Sequence, residues 1–190
     1  MLLKILVYKS TKCFIFADMK NALTIIHERT SVRAYTEQTV SAEQIEAMLR
    51  AAMAAPSSKN KQPWHFVIIT KSETLKLLAA KLPYAKMLEH APLAIVVCGD
   101  TTIHIGEAEN NWIMDCSAAS ENLLLAAQAI GLGAVWTGVF PYSERIATLR
   151  EIAALSENIV PLNVIAIGYP RKEGHAREAW NPQCIHYEKF

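Results

Sequence analysis

No Cys-x-x-Cys pair occurs in this 190-residue chain, whose four cysteines, Cys13, Cys98, Cys116 and Cys184, are widely scattered. Zinc and thioredoxin readings therefore lack support, and no metal site is expected. Cys98 and Cys116 sit inside apolar stretches and read as core residues; scattered thiols of this kind suit a reducing, cytoplasmic setting. No apolar run is long enough to cross a membrane without polar interruption. Charge of one sign is not in excess either: 19 Lys+Arg face 18 Asp+Glu, for a net charge of +1. A general nucleic-acid binder would be strongly basic, although a local anion site stays compatible with this balance. Gly131-Leu132-Gly133 meets Trp136 where a dinucleotide fingerprint needs its third glycine. A P-loop and a Gly-x-Ser-x-Gly elbow are missing too, which disfavours an α/β-hydrolase. Repeats and low-complexity segments are absent. What remains is 52% hydrophobic and 19% charged, the profile of one globular domain with a good-sized core.

The pattern of apolar residues supplies the elements. Leu2–Tyr8 and Cys13–Ala17 are short apolar runs split by a polar turn, consistent with two short strands; Lys4 and Lys9 interrupt too early for a secretory signal. Met19–Glu28 suits a short helix. Ser41 and Gln44 form a capping box, and Ile45, Met48, Leu49, Ala52 and Met53 then fall on one helical face. Pro56 ends that helix, and residues 56–63 form a turn. Strands are expected at His65–Thr70, Leu93–Cys98, Ala134–Trp136 and Leu162–Ile167, with Leu93–Cys98 central because it is apolar throughout. Helices are expected at Thr74–Leu82, Asn111–Ile130 and Ser143–Leu155, the second largely buried and closed by a left-handed Gly131. After Pro170 the chain reads as an arm with Trp180, Tyr187 and Phe190 that must pack on something else. Few, unevenly spaced strands among helices point to an α+β sandwich with helices covering a mixed sheet.

Three groups of polar residues are candidates for chemistry. Arg29, Ser31 and Arg33 alternate along a short segment; arginine forks suit phosphate oxygens, and the serine adds a donor. Taken alone, the cluster is more simply a solvated basic turn. Pro56-Ser57-Ser58-Lys59-Asn60-Lys61-Gln62-Pro63-Trp64 packs hydroxyls and amides between prolines that stiffen it for ligand binding; by composition it is equally an ordinary turn before a strand. His104, Glu107, Glu109 and Asp115 match no metal-ligand spacing, and a solvated polar loop is the simpler reading. His175 and His186 read as exposed or interface histidines of the arm.

These motifs occur together and in order. Arg29-Thr30-Ser31-Val32-Arg33, the Pro56–Trp64 loop, Gly131-Leu132-Gly133-Ala134-Val135-Trp136-Thr137-Gly138, Pro161-Leu162 and Ile167-Gly168-Tyr169-Pro170 resemble the nitroreductase family of FMN-dependent NAD(P)H oxidoreductases. The resemblance runs from Met19 to the end. It implies a nitroreductase-like α+β fold, with a mixed, mostly antiparallel sheet flanked by helices, in an intertwined homodimer with two FMN sites at its interface. It divides the chain into an extension over residues 1–18, an FMN-binding domain over 19–170, and a C-terminal arm over 171–190 that packs on the partner subunit.

The resemblance also implies roles for residues. Arg29, Ser31 and Arg33 would hold the flavin phosphate and ribityl chain, with Arg177 from the arm. Pro56, Ser57, Ser58 and Asn60 would reach the flavin from the partner subunit. Lys86 would lie near the pyrimidine end of the ring, where a cation raises the reduction potential. Trp136, Thr137 and Gly138 would run along the flavin, bringing a backbone N–H near N5. No protein acid or base stands out, and none is obligatory for hydride transfer. NADH or NADPH would deliver hydride to flavin N5, and a nitroaromatic, quinone or activated alkene would then be reduced in the same site, a ping-pong mechanism. The other reading is a non-catalytic FMN-binding dimeric module. Two departures stand out: residues 1–18 lie outside the resemblance, and Ala179 occupies the second of two basic positions in the arm.

Overall fold

A computed structural model describes residues 22–172, 174–176 and 178–190. Four strands, β1 (Trp64–Ile69), β2 (Leu93–Asp100), β3 (Gly133–Gly138) and β4 (Ile159–Gly168), form one sheet in the order β1-β2-β4-β3. Every neighbouring pair is antiparallel. Among the described residues the parallel part of the expected mixed sheet is confined to an isolated bridge between Ser31 and Ala134.

The alternation of side chains explains why β2 is apolar throughout. Leu93, Ile95 and Val97 face one cluster, which holds Met48 and Ala52 of α2 (Ala42–Met53) and Trp112, Cys116 and Leu123 of α4 (Asn111–Ala129). Ala94, Val96 and Cys98 face the other, with Leu75 and Leu78 of α3 (Ser72–Lys81) and Leu149 of α5 (Ser143–Ala153). Both faces of the sheet are covered, so the strand has no polar side to show. Each fully buried Leu or Ile contributes about 1.5–3 kcal/mol. Burial also pushes the thiols of Cys98 and Cys116 up to about 12, as expected of core cysteines.

Local signals fix the element ends. Gln44 N–H donates to Ser41 Oγ at 3.2 Å, and Ser41 N–H donates to Gln44 Oε1 at 3.0 Å, closing the capping box of α2. Met53, expected on the apolar face, is exposed; it lies at the edge of that arc, where the helix ends. Gly131 adopts φ +78°, and Leu132 N–H donates to Ala127 O at 2.8 Å across the end of α4. Only a residue tolerant of left-handed backbone closes a helix this way cheaply. Pro161 offers no N–H to the ladder, and the β2–β4 register shifts beside it, between Val97 and Cys98.

α1 (Ala22–Glu28) is the described part of the helix expected from Met19. The two short strands expected between Leu2 and Ala17 lie outside the described residues. The described arm residues beyond Arg171 are exposed and carry one short turn, Pro182–Cys184. Trp180 is 73% and Tyr187 86% exposed, so the described residues leave these two arm aromatics largely uncovered.

Candidate functional site

The segment after α1 runs along the outer edge of β3. Val32 N–H donates to Ala134 O at 3.0 Å. Gly133 has no side chain because a Cβ there would stand 2.6 Å from Val32 Cβ. Tyr35 fixes the other end: its buried hydroxyl shares its proton between Val32 O and Ala166 O. Burial pushes that phenol up, against a smaller downward pull from the Arg33 charge. The extended backbone sends alternate side chains to opposite sides. Thr30 and Val32 line a cleft with the end of α4. Arg33 lines a different, larger one.

That second cleft holds about 1040 Å³, and Arg33, Lys86, Trp136, Thr137 and Gly138 all line it. Lys86 opens a 3-10 turn, Lys86–Glu89, whose Met87 and Leu88 are buried beside α3. Those two anchors leave the exposed lysine facing the cleft. β3 is an edge strand among the described residues, and beyond the Ser31 bridge at Ala134 its outer backbone groups meet no further strand. The carbonyl of Ala134 points outward to Val32; a repeat of two places the backbone groups of Trp136 and Gly138 on that same edge. Arg145 was not anticipated from the sequence. It lines the cleft, donates from Nη1 to Gly138 O at 2.9 Å, and lies 3.8 Å over the Tyr142 ring. Arg33, Lys86 and Arg145 together outnumber Glu89, the one carboxylate of the lining, so the cleft favours an anionic ligand.

Arg29 and Ser31 belong to the same segment but not to the cleft lining. The Arg29 Nε stands 3.6 Å from Glu121 Oε1 of α4, and Ser31 bridges Ala134 through its backbone. Arg177 lies outside the described residues.

The Pro56–Pro63 loop is elsewhere on this chain and lines none of the Arg33 cleft. It is an ordered turn. Ser58–Asn60 forms a 3-10 turn, and Lys59, Asn60 and Gln62 take φ of +52°, +54° and +50°. Left-handed backbone costs about 1–2 kcal/mol for a residue such as Lys or Gln, and less for Asn. Gln62 N–H donates to Ser57 Oγ and Gln62 Nε2 to Asn60 Oδ1, both at 2.9 Å.

The expected solvated loop of His104, Glu107, Glu109 and Asp115 is only half right. Glu107 and Glu109 are exposed. His104 and Asp115 are each 5% exposed, with His104 Nε2 3.0 Å from Asp115 Oδ2. Asp115 Oδ1 accepts the Ser58 N–H at 2.9 Å, and Asn111 Nδ2 donates to Ser58 Oγ at 2.9 Å. A signal for this existed: Asp115 falls between Trp112 and Ala119 on the buried face of α4. Among the described residues no cluster of three or more His, Cys, Asp or Glu could hold a metal ion.

Residues 26–83 and 73–169 match the model of the Nitroreductase family. The chain belongs to the nitroreductase family. An Archaeoglobus fulgidus protein provisionally named NADH dehydrogenase/NAD(P)H nitroreductase is 44% identical over 175 residues, spanning 90% of this chain and all of that one. A crystal structure from Parabacteroides distasonis, provisionally named in the same way, is 46% identical with a TM-score of 0.86, covering 90% of this chain and 100% of the other. A Desulfovibrio desulfuricans protein, provisionally named a nitroreductase and solved in complex with FMN, is 32% identical with a TM-score of 0.77 over 90% and 98% of the two chains. The match to this nitroreductase fold confirms the α+β architecture expected from the sequence.

Proposed function

We propose that this nitroreductase is an FMN-dependent NAD(P)H oxidoreductase that reduces an electron-poor acceptor: a nitroaromatic, a quinone or an activated alkene. The cleft that joins Arg33 and Lys86 across the outer edge of Trp136–Gly138 carries the reading. It suits FMN in three respects. Its volume is at the upper end for small-molecule sites, about 300–1,000 Å³. Its cations match a ligand that carries a phosphate and gains negative charge on reduction. A side chain at Gly138 would meet nothing within 4 Å, so the protein's own packing does not require glycine there; close approach of a flat ligand does.

When bound, FMN supplies the two-electron centre at N5 that takes hydride from NAD(P)H and gives it to the acceptor. The chain's residues bind and orient. Arg29, Ser31 and Arg33, with Arg177 from the arm, hold the phosphate. Lys86 stabilises negative charge at the pyrimidine end. Arg145 fixes the Gly138 carbonyl and with it the backbone along the ring. Pro56, Ser57, Ser58 and Asn60 complete the site of the partner in a homodimer, so each cleft is built by two chains.

A homodimer is supported by apolar surface that the described residues leave uncovered. Ala22, Ile25 and Ile26 of α1 form an apolar groove with Leu125 and Ala129 of α4, and Trp180 and Tyr187 of the arm are exposed. The arm of residues 171–190 then wraps the partner, and residues 1–18 are an extension that flavin binding does not require. Among the described residues the cysteines Cys98, Cys116 and Cys184 are free, which fits a cytoplasmic location. No described helix is long and apolar enough to cross a membrane.

Steady-state kinetics test the reaction order. With NADH or NADPH varied at several fixed concentrations of menadione or nitrofurazone, double-reciprocal plots are expected to be parallel, because reductant and acceptor occupy one cleft in turn. Intersecting lines would mean that both bind together and would contradict the shared cleft.

A further inference from the structure

The loop proposed to complete the partner's site does not hold its shape by local preference. Lys59, Asn60 and Gln62 all have left-handed backbone, a conformation that persists in non-glycine residues when surroundings over-determine it. At Ser58 those surroundings are two residues of α4, one of them held in turn by a third residue. Asp115 Oδ1 accepts the Ser58 N–H, and Asn111 Nδ2 donates to the Ser58 hydroxyl. Asn111 and Asp115 are four apart on α4 and share one face. The second carboxylate oxygen of Asp115 meets His104 Nε2, from the segment that joins β2 to α4.

Burying such a pair is a poor way to stabilise a fold. Well-packed apolar residues of similar volume generally do as well or better, because polar and charged groups must be stripped of water. What a buried pair provides is a fixed direction. With Oδ2 held by His104, the Asp115 carboxylate cannot rotate, and Oδ1 stays aimed at one backbone N–H of the loop.

The geometry points to His104, Asp115 and Asn111 as positioning residues that set the Ser57–Asn60 loop for flavin binding, His104 acting through Asp115. None of them needs to touch flavin. This inference rests on the proposed role of the loop in the shared site.

The test uses the full chain and two readouts: amide hydrogen exchange of the loop in the flavin-free protein, and the Kd for FMN. In Asp115→Leu the loop loses its buried acceptor, and both loop exchange and Kd are expected to rise by at least about tenfold, while amides of β2 and β4 keep their protection. Asp115→Asn retains an oxygen for the Ser58 N–H and restores both readouts to within about threefold of the parent. Asn111→Ala, at the partly exposed start of α4, carries the test if Asp115→Leu does not fold; it moves both readouts in the same direction by about threefold or more. Unchanged loop exchange in these variants would overturn the positioning role. Faster loop exchange with an unchanged Kd would show that the loop is held but not used by flavin. A parent protein that binds no FMN would instead refute the proposed function, and the exchange arm would still decide whether the three residues hold the loop.

Discussion

Replacing Arg29 and Arg33 together by alanine is expected to weaken FMN binding by at least a hundredfold. Hydrogen bonds to a charged group are each worth about 1.5–3 kcal/mol, and two arginines on one phosphate act as neighbours whose losses do not simply add. The low end of their sum, about 3 kcal/mol, already corresponds to a factor of roughly one hundred. The fold should hardly notice. Arg33 is exposed, and the partner of Arg29, Glu121, is half exposed, at 52% of its side chain; exposed ion pairs contribute about 0–1 kcal/mol. Fluorescence titration of the flavin-free variant gives the Kd, and thermal unfolding gives the control. An unchanged Kd would remove both arginines from the phosphate site. A change in Arg33→Ala alone would mean that the Glu121 contact holds Arg29 away from the ligand.

Gly99→Ala should cost about 3 kcal/mol of stability, the upper part of the range for overpacking a core. Gly99 sits in β2 between Trp64 and Val160. A Cβ there would lie well inside contact distance of the Trp112 ring. Trp112 has nowhere to move: it is 3% exposed and meets Phe140 edge-on, with centroids 5.1 Å apart. Chemical denaturation should show a lower midpoint with an unchanged slope. Gly138→Ala is the contrast. The added methyl meets open space on the cleft, so stability should hold while FMN affinity falls. Equal stability losses in the two variants would contradict the packing described for Trp112.

The contrast between these glycines shows what sequence can and cannot carry. Capping at Ser41 and Gln44 was legible because both partners lie within one turn of the chain. The central place of β2 was legible because two buried faces leave an unbroken apolar run. The cleft residues Arg33, Lys86, Trp136, Thr137 and Gly138 were found through the family resemblance and meet in one place. Arg145 was not found: its contact with Gly138 depends on how α5 folds back on β3, and a lone arginine on an amphipathic helix carries no mark of that. His104 and Asp115 were read as solvated because the segment between them is polar. Only the helical period of α4 hinted that Asp115 faces inward, and nothing local placed His104 beside it. Gly99 follows the strand expected at Leu93–Cys98, and nothing local marks that Trp112, thirteen positions on, comes to rest against it. The roles of Pro56, Ser57, Ser58 and Asn60 are the least legible of all, since in the proposed dimer their ligand sits on the other chain.

The most direct test of the account is an anaerobic titration of the purified protein with NADH and with NADPH. The purified protein should be yellow and carry FMN and not FAD, one flavin per chain, with visible absorption that bleaches on addition of a stoichiometric amount of at least one of the two and returns when a quinone is added. Bound FMN that neither nucleotide bleaches would leave a flavin-binding module without turnover. Protein that binds no FMN at all would contradict the assignment of the cleft.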